Sequence, residues 1–398
     1  MSIVLNLLGM ALILALLYAL CAQRRAIRWS TILKALAAQF VLALIILKVP
    51  AGVAIIEAIS DVIQRLFNFS HDGISFVFGP LLDTAHYGFI FIIQVLCPLI
   101  FLGAFINILN YLGILRMLIL LLGTAVGKIA GTSRVESFIC VANMFLGQTE
   151  SPLLIAKYLK AMTRSEMFIV VVAGMGSMSV SILGGYSAMG IPMPYLITAC
   201  TLVPFGAIVM GKLIFPETET TAVTELEFER KSYGINLIDA LGNGAMEGLK
   251  LVMAIAASLV AIVAIIALVN GLLSPLGIRL EDIFAVVFYP LAYLLGIAED
   301  VRGFAAELLG CKLVLNEFVA FDKLVPMLAQ LDQRTQAMLC VAIGGFANIG
   351  SMAICLSSIG TLCPGKREDL AKIIVRALVA AFCLNLFNAF LTGIILAF

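Results

Sequence analysis

The sequence predicts an all-α, polytopic membrane protein with eight transmembrane helices, two re-entrant hairpins that enter the bilayer without crossing it, and interfacial helices. Three observations carry this. First, 62% of the 398 residues are hydrophobic and only 12% charged, with a mean hydropathy of +1.12. A soluble domain carries roughly 25% charged residues, so most of this surface must face lipid. Second, eight stretches supply the roughly 20 apolar residues a span needs: about 3–22, 30–50, 87–115, 167–190, 193–215, 251–273, 335–360 and 374–397. Third, an acid-bearing segment too short to cross is broken by Gly147 and Pro152, and a second one places Asn316-Glu317 in a similar setting.

Along the chain, the first apolar run is followed, not preceded, by Arg24, Arg25 and Arg28, which suits a retained span better than a signal peptide. In the second, Lys34 and Lys48 snorkel from its ends. Ile55, Ile59, Val62 and Leu66 repeat at helical spacing opposite Glu57, Asp61, Gln64 and Arg65. Ile238, Leu241, Ala245 and Leu249 do so opposite Asp239, Asn243 and Glu247. Both patterns predict helices lying flat in the interface. The uncharged run from Met167 to Gly211 divides at Pro192-Met-Pro194, where two prolines interrupt a helix. The polar stretch from Pro216 to Lys231 reads as a flexible loop joining two halves. Four regions follow: N-terminal spans and scaffold (1–115), a first transport repeat (116–215), a loop, interfacial helix and scaffold span (216–273), and a second transport repeat (274–398). The basic clusters at Arg24, Arg25, Arg28 and Lys34 and at Lys366, Arg367 and Lys372 belong in the cytoplasm, which puts both termini outside.

Other classes find little support. Net charge is +1, without a basic stretch suited to nucleic acid. The nine cysteines form no CxxC pair, and His71 and His86 lack ligand-spaced partners, so a zinc site or disulfide framework is not expected. No organic cofactor is implied.

The chemistry concentrates in Ser137–Pro152, which carries Gln148-Thr149-Glu150, and in Lys312–Ala320, which carries Asn316-Glu317. Gly147 and Pro152 break the first. Broken half-helices beside a buried acid are the plan of a transporter site, with helix ends aimed at substrate and ion. A faint repeat supports an inverted pair: Glu150 leads to Gly176-Ser177-Met178 and Glu317 to Gly350-Ser351-Met352. The acid-to-serine intervals, 27 and 34, differ and require insertions. Asn348 and Ser351 share a helical face, and Asn143 and Ser177 match them in the first half. Asn143 and Ser177 together offer a neutral oxygen cage for a monovalent cation. Three rivals remain: a proton-coupled transporter, an intramembrane enzyme using Glu150 and Glu317 as an acid–base pair, and a gated pore.

The segments Glu136-Ser-Phe, Val-Ala-Asn143-Met-Phe-Leu-Gly-Gln-Thr-Glu150, Met162-Thr-Arg-Ser-Glu-Met167, Asn243-Gly-Ala-Met-Glu-Gly-Leu-Lys250, Lys312-Leu-Val-Leu-Asn-Glu-Phe318 and Gly345-Phe-Ala-Asn348 resemble the concentrative nucleoside transporters. The likeness covers nearly the whole chain. It implies a homotrimer in the bacterial inner membrane, in which a transport domain moves against a trimerising scaffold to carry nucleosides such as uridine with sodium. It also implies that Gln148, Thr149 and Glu150 meet the nucleobase, which Ile182 lines. Glu317, Asn348 and Ser351 would bind the ribose hydroxyls, with Phe346 packed nearby. Sodium would be held at Asn143, Leu146, Ser177 and Met178, partly by backbone carbonyls. Ser151 stands where the family usually has alanine. The implied sugar site is chemically apt, because a carboxylate such as Glu317 accepts two hydroxyl donors at once.

Overall fold

The computed structural model describes residues 2–21, 23–221, 223 and 234–398, and every regular element among them is helical. Most of the expected loop at 216–231 therefore lies outside the described residues. The N-terminal helices are α1 (Ser2–Leu20), α2 (Trp29–Lys48) and α3 (Pro50–Phe78), the last opened by a proline in its first turn, where no intrahelical N–H is needed. Next come α4 (Pro98–Tyr111) and α5 (Ile114–Ala130), separated by a corner at Gly113, whose φ of 76° suits glycine. The first polar segment forms α6 (Arg134–Leu154), followed by α7 (Arg164–Gly176), α8 (Val180–Met189), α9 (Met193–Thr201) and α10 (Val203–Ile214). The second half comprises α11 (Leu237–Leu273), α12 (Glu299–Val314), α13 (Glu317–Leu324), α14 (Gln333–Ile343), α15 (Ile349–Leu362) and α16 (Arg367–Ile395).

Among the described residues, seven helical stretches are long and apolar enough to cross a membrane: Ser2–Leu20, Trp29–Lys48, Ile92–Tyr111, Arg164–Met189, Met193–Ile214, Leu237–Leu276 and Pro364–Ile395. The remaining expected span, 335–360, is not one helix. It divides into α14 and α15 at Gly344–Asn348, where Gly345 takes a φ of 131°. Asn348 and Ser351 therefore share no continuous helix, because Asn348 caps the start of α15. The apolar helix α5 was not expected.

One of the two amphipathic segments differs from expectation. Residues 238–249 are not a separate flat helix, since α11 runs unbroken through them and the apolar stretch beyond. The face with Ile238, Leu241 and Leu249 is exposed, as an apolar face turned to lipid would be, and Ala240, Gly244, Gly248 and Val252 on the other side are buried. In α3 likewise Ile55, Ile59 and Val62 are exposed while Gly52, Ile56 and Ser60 are buried. Small residues set the packed face because lipid is already apolar, so close backbone approach decides which surfaces meet. In α11 the seam is tight. A Cβ on Gly248 would stand 2.7 Å from the Cα of Ile100 in α4, and the Asn107 amide donates to the Ala240 carbonyl at 2.9 Å.

Inside against outside is equally clear. α16 is buried for 94% of its apolar window and α11 for only 6%, so α16 is central and α11 peripheral. Polar contacts mark the two ends of the bundle. At one end the Ser133 hydroxyl donates to Glu166 (2.9 Å), buried Lys212 pairs with Glu136 and donates to Ser165 (3.0 Å), and Lys366 donates to the Met162 carbonyl (3.1 Å). Arg28 lines a cavity at this same end. At the other end Arg334 ties Asn6 of α1 (2.6 Å) to the Gly393 carbonyl of α16 (2.8 Å), and Gly296 abuts Ser2. The segment from Ser133 to Thr163 thus starts and finishes at the first end, and that from Gly296 to Asp332 at the second.

Candidate substrate and ion site

The two halves align without insertions at a constant spacing of 169 residues. Thr163 caps α7 by accepting from the Glu166 N–H, and Asp332 caps α14 by accepting from the Thr335 N–H. Ser179 and Asn348 hold the cap positions of α8 and α15. Gly147 (φ 75°) breaks α6 and Asn316 separates α12 from α13. This register corrects the acid-to-serine alignment. The counterpart of Glu317 is Gln148, not Glu150, and the counterpart of Ser177 is Phe346, not Ser351. The unequal intervals of 27 and 34 came from matching like residues, whereas the caps match positions.

Hydrogen bonds cross between the halves in the same register. Tyr186 in α8 donates its hydroxyl to Glu317 Oε1 at 2.9 Å. Cys355 in α15, which is 169 residues after Tyr186, donates its thiol to Gln148 Oε1 at 3.3 Å. Each of these helix breaks is thereby held by the other half's broken span. Where the two broken spans meet, the Phe346 N–H donates to the Ser177 carbonyl at 3.1 Å, joining two counterpart positions directly.

Around this crossing the polar residues gather. Glu317 opens α13, where the helix N-terminus favours a carboxylate. Its Oε2 accepts from Asn348 Nδ2 at 3.1 Å, and Asn348 Oδ1 accepts from the Ser351 N–H at 2.9 Å. Gln148 Nε2 donates to the Ser351 hydroxyl at 3.2 Å. Gln148, Glu317, Asn348 and Ser351 thus form one buried, connected set. The half-buried Phe346 ring lies against Gly147, and Ile182 is buried one turn before Tyr186. The Thr149 side chain is exposed, and its carbonyl accepts from Ser358 at 3.2 Å. Glu150 faces elsewhere: it lines a cavity of about 60 Å³ with Leu146, Ser181, Asn107 and Asn110 of α4 and Glu247 of α11. The two acids therefore work in separate surroundings.

The residues expected to hold a cation stand at the first half's two breaks. Asn143 is fully buried, its Oδ1 accepting from the Ser151 hydroxyl at 2.7 Å and its Nδ2 donating to the Ile139 carbonyl at 2.9 Å. Leu146 ends the regular part of α6 before Gly147, whose Cβ position would lie 3.1 Å from that of Ser179. Between α7 and α8 the chain is extended at Ser177, whose hydroxyl donates to the Gly174 carbonyl at 3.3 Å, and the Met178 carbonyl accepts from Cys200 at 3.5 Å. The set is one of neutral oxygens, suited to a monovalent cation without any titrating group.

Four residues escaped the sequence reading: Tyr186, Cys355, Glu247 and Ser151 in its role as partner to Asn143. Tyr186 carried a usable signal, since a phenol inside an uncharged run must find an acceptor for its hydroxyl. Cys355 carried none, being one of nine similar thiols.

Comparison with known proteins agrees with this geometry. Residues 8–81 match the family model for the N-terminus of Na+ dependent nucleoside transporters, 92–193 a nucleoside recognition model, and 195–393 the model for the transporters' C-terminus. The chain is 35% identical to a nucleoside permease of Helicobacter pylori, with 97% of this chain and 96% of that one covered. It is 33% identical to sodium/nucleoside cotransporter 1 of mouse, covering 97% of this chain but 63% of that protein. Among solved structures, that of CNTnw in an inward-facing, substrate-bound state superposes with a TM-score of 0.96 at 36% identity, covering 100% and 99% of the two chains. An outward-facing variant of CNTnw superposes with a TM-score of 0.95 at 35% identity, covering 100% and 99%.

Proposed function

The chain belongs to the Na+ dependent nucleoside transporter family, a family of multi-pass membrane proteins, and from that premise we propose that it moves nucleosides against their gradient by symport with sodium. The observation that carries this reading is the buried Gln148–Ser351–Asn348–Glu317 set at the crossing of two helix breaks. Glu317, Asn348 and Ser351 take the ribose hydroxyls and Gln148 takes the base, while Thr149 and Glu150, expected beside it, stand outside this set. A site built to pair hydroxyls discriminates strongly against an analogue lacking them, since its own polar groups are then left unpaired. Sodium sits between Asn143, Leu146, Ser177 and Met178.

The segments 133–163 and 296–332 are read as re-entrant hairpins entering from opposite faces, supported by the contacts that hold each segment's ends at one end of the bundle. Arg28 and Lys366 lie at the end opposite Asn6 and Gly393, which supports a cytoplasmic basic face and external termini. The repeats at 116–215 and 274–398 form the moving unit, and α4 and α11 belong to the scaffold of a homotrimer. The inward- and outward-facing forms of CNTnw support alternating access as the cycle.

The deciding experiment is uridine uptake into proteoliposomes under a sodium gradient, a proton gradient or none. Accumulation with sodium alone is expected. Accumulation that follows protons and ignores sodium would overturn the coupling, and chemical turnover of uridine would overturn transport itself.

A further inference from the structure

Lys312 has no role in the recognition just described, yet it is fully buried. Its ammonium donates to the Ala342 carbonyl at 2.6 Å and to Asn385 Oδ1 at 2.6 Å, and it lies 5.7 Å from the centre of the Phe382 ring. A lysine head offers three donors and no acceptor, and here it meets two oxygens and a ring face, a set that suits a cation. The Ala342 carbonyl is available because α14 ends at Ile343: Phe346, four residues on, turns its N–H to Ser177 instead. Lys312 thus caps a carbonyl released by an unwound span, the type of ligand proposed for sodium in the first half.

The register makes the correspondence specific. Lys312 follows Asn143 by 169 residues, and each precedes its hairpin break, Asn316 or Gly147, by four. Ala342 is the counterpart of Ala173, next to Gly174, whose Cβ position lies 3.5 Å from Asn143 Oδ1. The lysine therefore occupies in the second repeat the place where the first repeat has Asn143. The two places are also wired together. Asn385, which accepts from Lys312, donates its Nδ2 to the Gly176 carbonyl at 2.7 Å, one residue before Ser177.

We propose that the Lys312 ammonium is a tethered cation that fills, in the second repeat, the position sodium takes in the first. One ion position is then supplied by the chain itself and only one by solution, so each cycle couples to a single sodium. This rests on the sodium assignment above.

The test is sodium-dependent binding of radiolabelled uridine to the purified full chain, for wild type, Lys312→Asn and Asn143→Lys. Wild type is expected to show a sodium Hill coefficient of about one, since cooperativity is bounded by the number of sites. Lys312→Asn, which places an amide where the ammonium was, is expected to raise the coefficient above one. At fixed sodium it should also weaken uridine binding by about ten- to a hundredfold, the usual size of a coupling between two sites, because the second cation position must then be filled from solution. Asn143→Lys should bind uridine without sodium. A sodium-dependent wild type whose folded Lys312→Asn variant keeps the same coefficient and affinity overturns the tethered cation alone. Wild-type binding indifferent to sodium overturns the coupling assignment and this inference with it. If Lys312→Asn does not fold, Asn143→Lys decides: a folded protein that still needs sodium, or binds no uridine at all, overturns the proposal.

Discussion

Replacing Glu317 by glutamine tests the sugar site most directly. The carboxylate offers about four lone-pair positions. Tyr186 and Asn348 use one on each oxygen, at 2.9 and 3.1 Å, which leaves room for a vicinal diol. Asn348 cannot turn to suit a new neighbour, because its Oδ1 is engaged by the Ser351 N–H at 2.9 Å. It therefore presents a donor, and the new amide must direct its oxygen there and its NH2 towards Tyr186. The diol then loses its charged acceptor. The loss of one hydrogen bond to a buried charge costs about 1.5–3 kcal/mol, or roughly ten- to a hundredfold in affinity. The assay compares equilibrium binding of uridine and 2′,3′-dideoxyuridine to wild type and Glu317→Gln. Wild type is expected to prefer uridine, and the variant to lose most of that preference while staying monodisperse. A folded variant that keeps the wild-type preference would falsify the assignment of Glu317 to the ribose.

Four further outcomes are expected. Tyr186→Phe removes one of the two donors to Glu317, so its melting temperature and uridine affinity should both fall, by about 1–3 kcal/mol in stability; unchanged values in both would remove Tyr186 from the site. Asn143→Ala and Ser177→Ala should each flatten the sodium dependence of uridine binding, and a wild-type sodium response in both would relocate the ion. Glu136→Ala strands the buried Lys212 ammonium, whose other acidic neighbour, Glu217, is 3.7 Å away; a loss of about 3–5 kcal/mol is expected, largely recovered when Lys212→Met is added, and a double variant no more stable than the single would refute the pairing. Cysteines at Ser2 and Phe398 in a cysteine-free background should react with an impermeant maleimide added to intact cells, whereas labelling of either only after lysis would contradict external termini.

The fold was legible where chemistry repeats locally. Apolar runs located the spans, and Gly147 marked a helix break because its positive φ is costly for other residues. Pro192 likewise marked the turn before α9. What failed was the extent of elements: residues 238–249 run on into one long helix, and 335–360 breaks into two. The Ile238–Leu241–Leu249 stripe signalled a lipid-facing side but not the glycine seam behind it, because a glycine carries no apolar signal of its own. In the site, Asn143, Glu317 and Asn348 stood out as buried polar groups. Their partners did not, because Tyr186 and Glu317 are 131 residues apart and meet only through the repeat. Matching Glu150 to Glu317 followed residue type, while the helix caps show that backbone position carries the symmetry.

The exchanged contacts, Tyr186 to Glu317 and Cys355 to Gln148, have a mechanical meaning. Each helix break is laced to the broken span of the opposite half, so displacing one half strains the contacts of the other. A force applied at one face of the bundle is delivered to the other through side chains rather than through the connecting backbone. Glu150 stands apart from this lacing, in the small cavity it shares with Glu247 against α4 and α11. Among the described residues no side-chain hydrogen bond ties Glu150 to these two glycine-sutured helices, which are held to each other instead by the Asn107 amide on the Ala240 carbonyl.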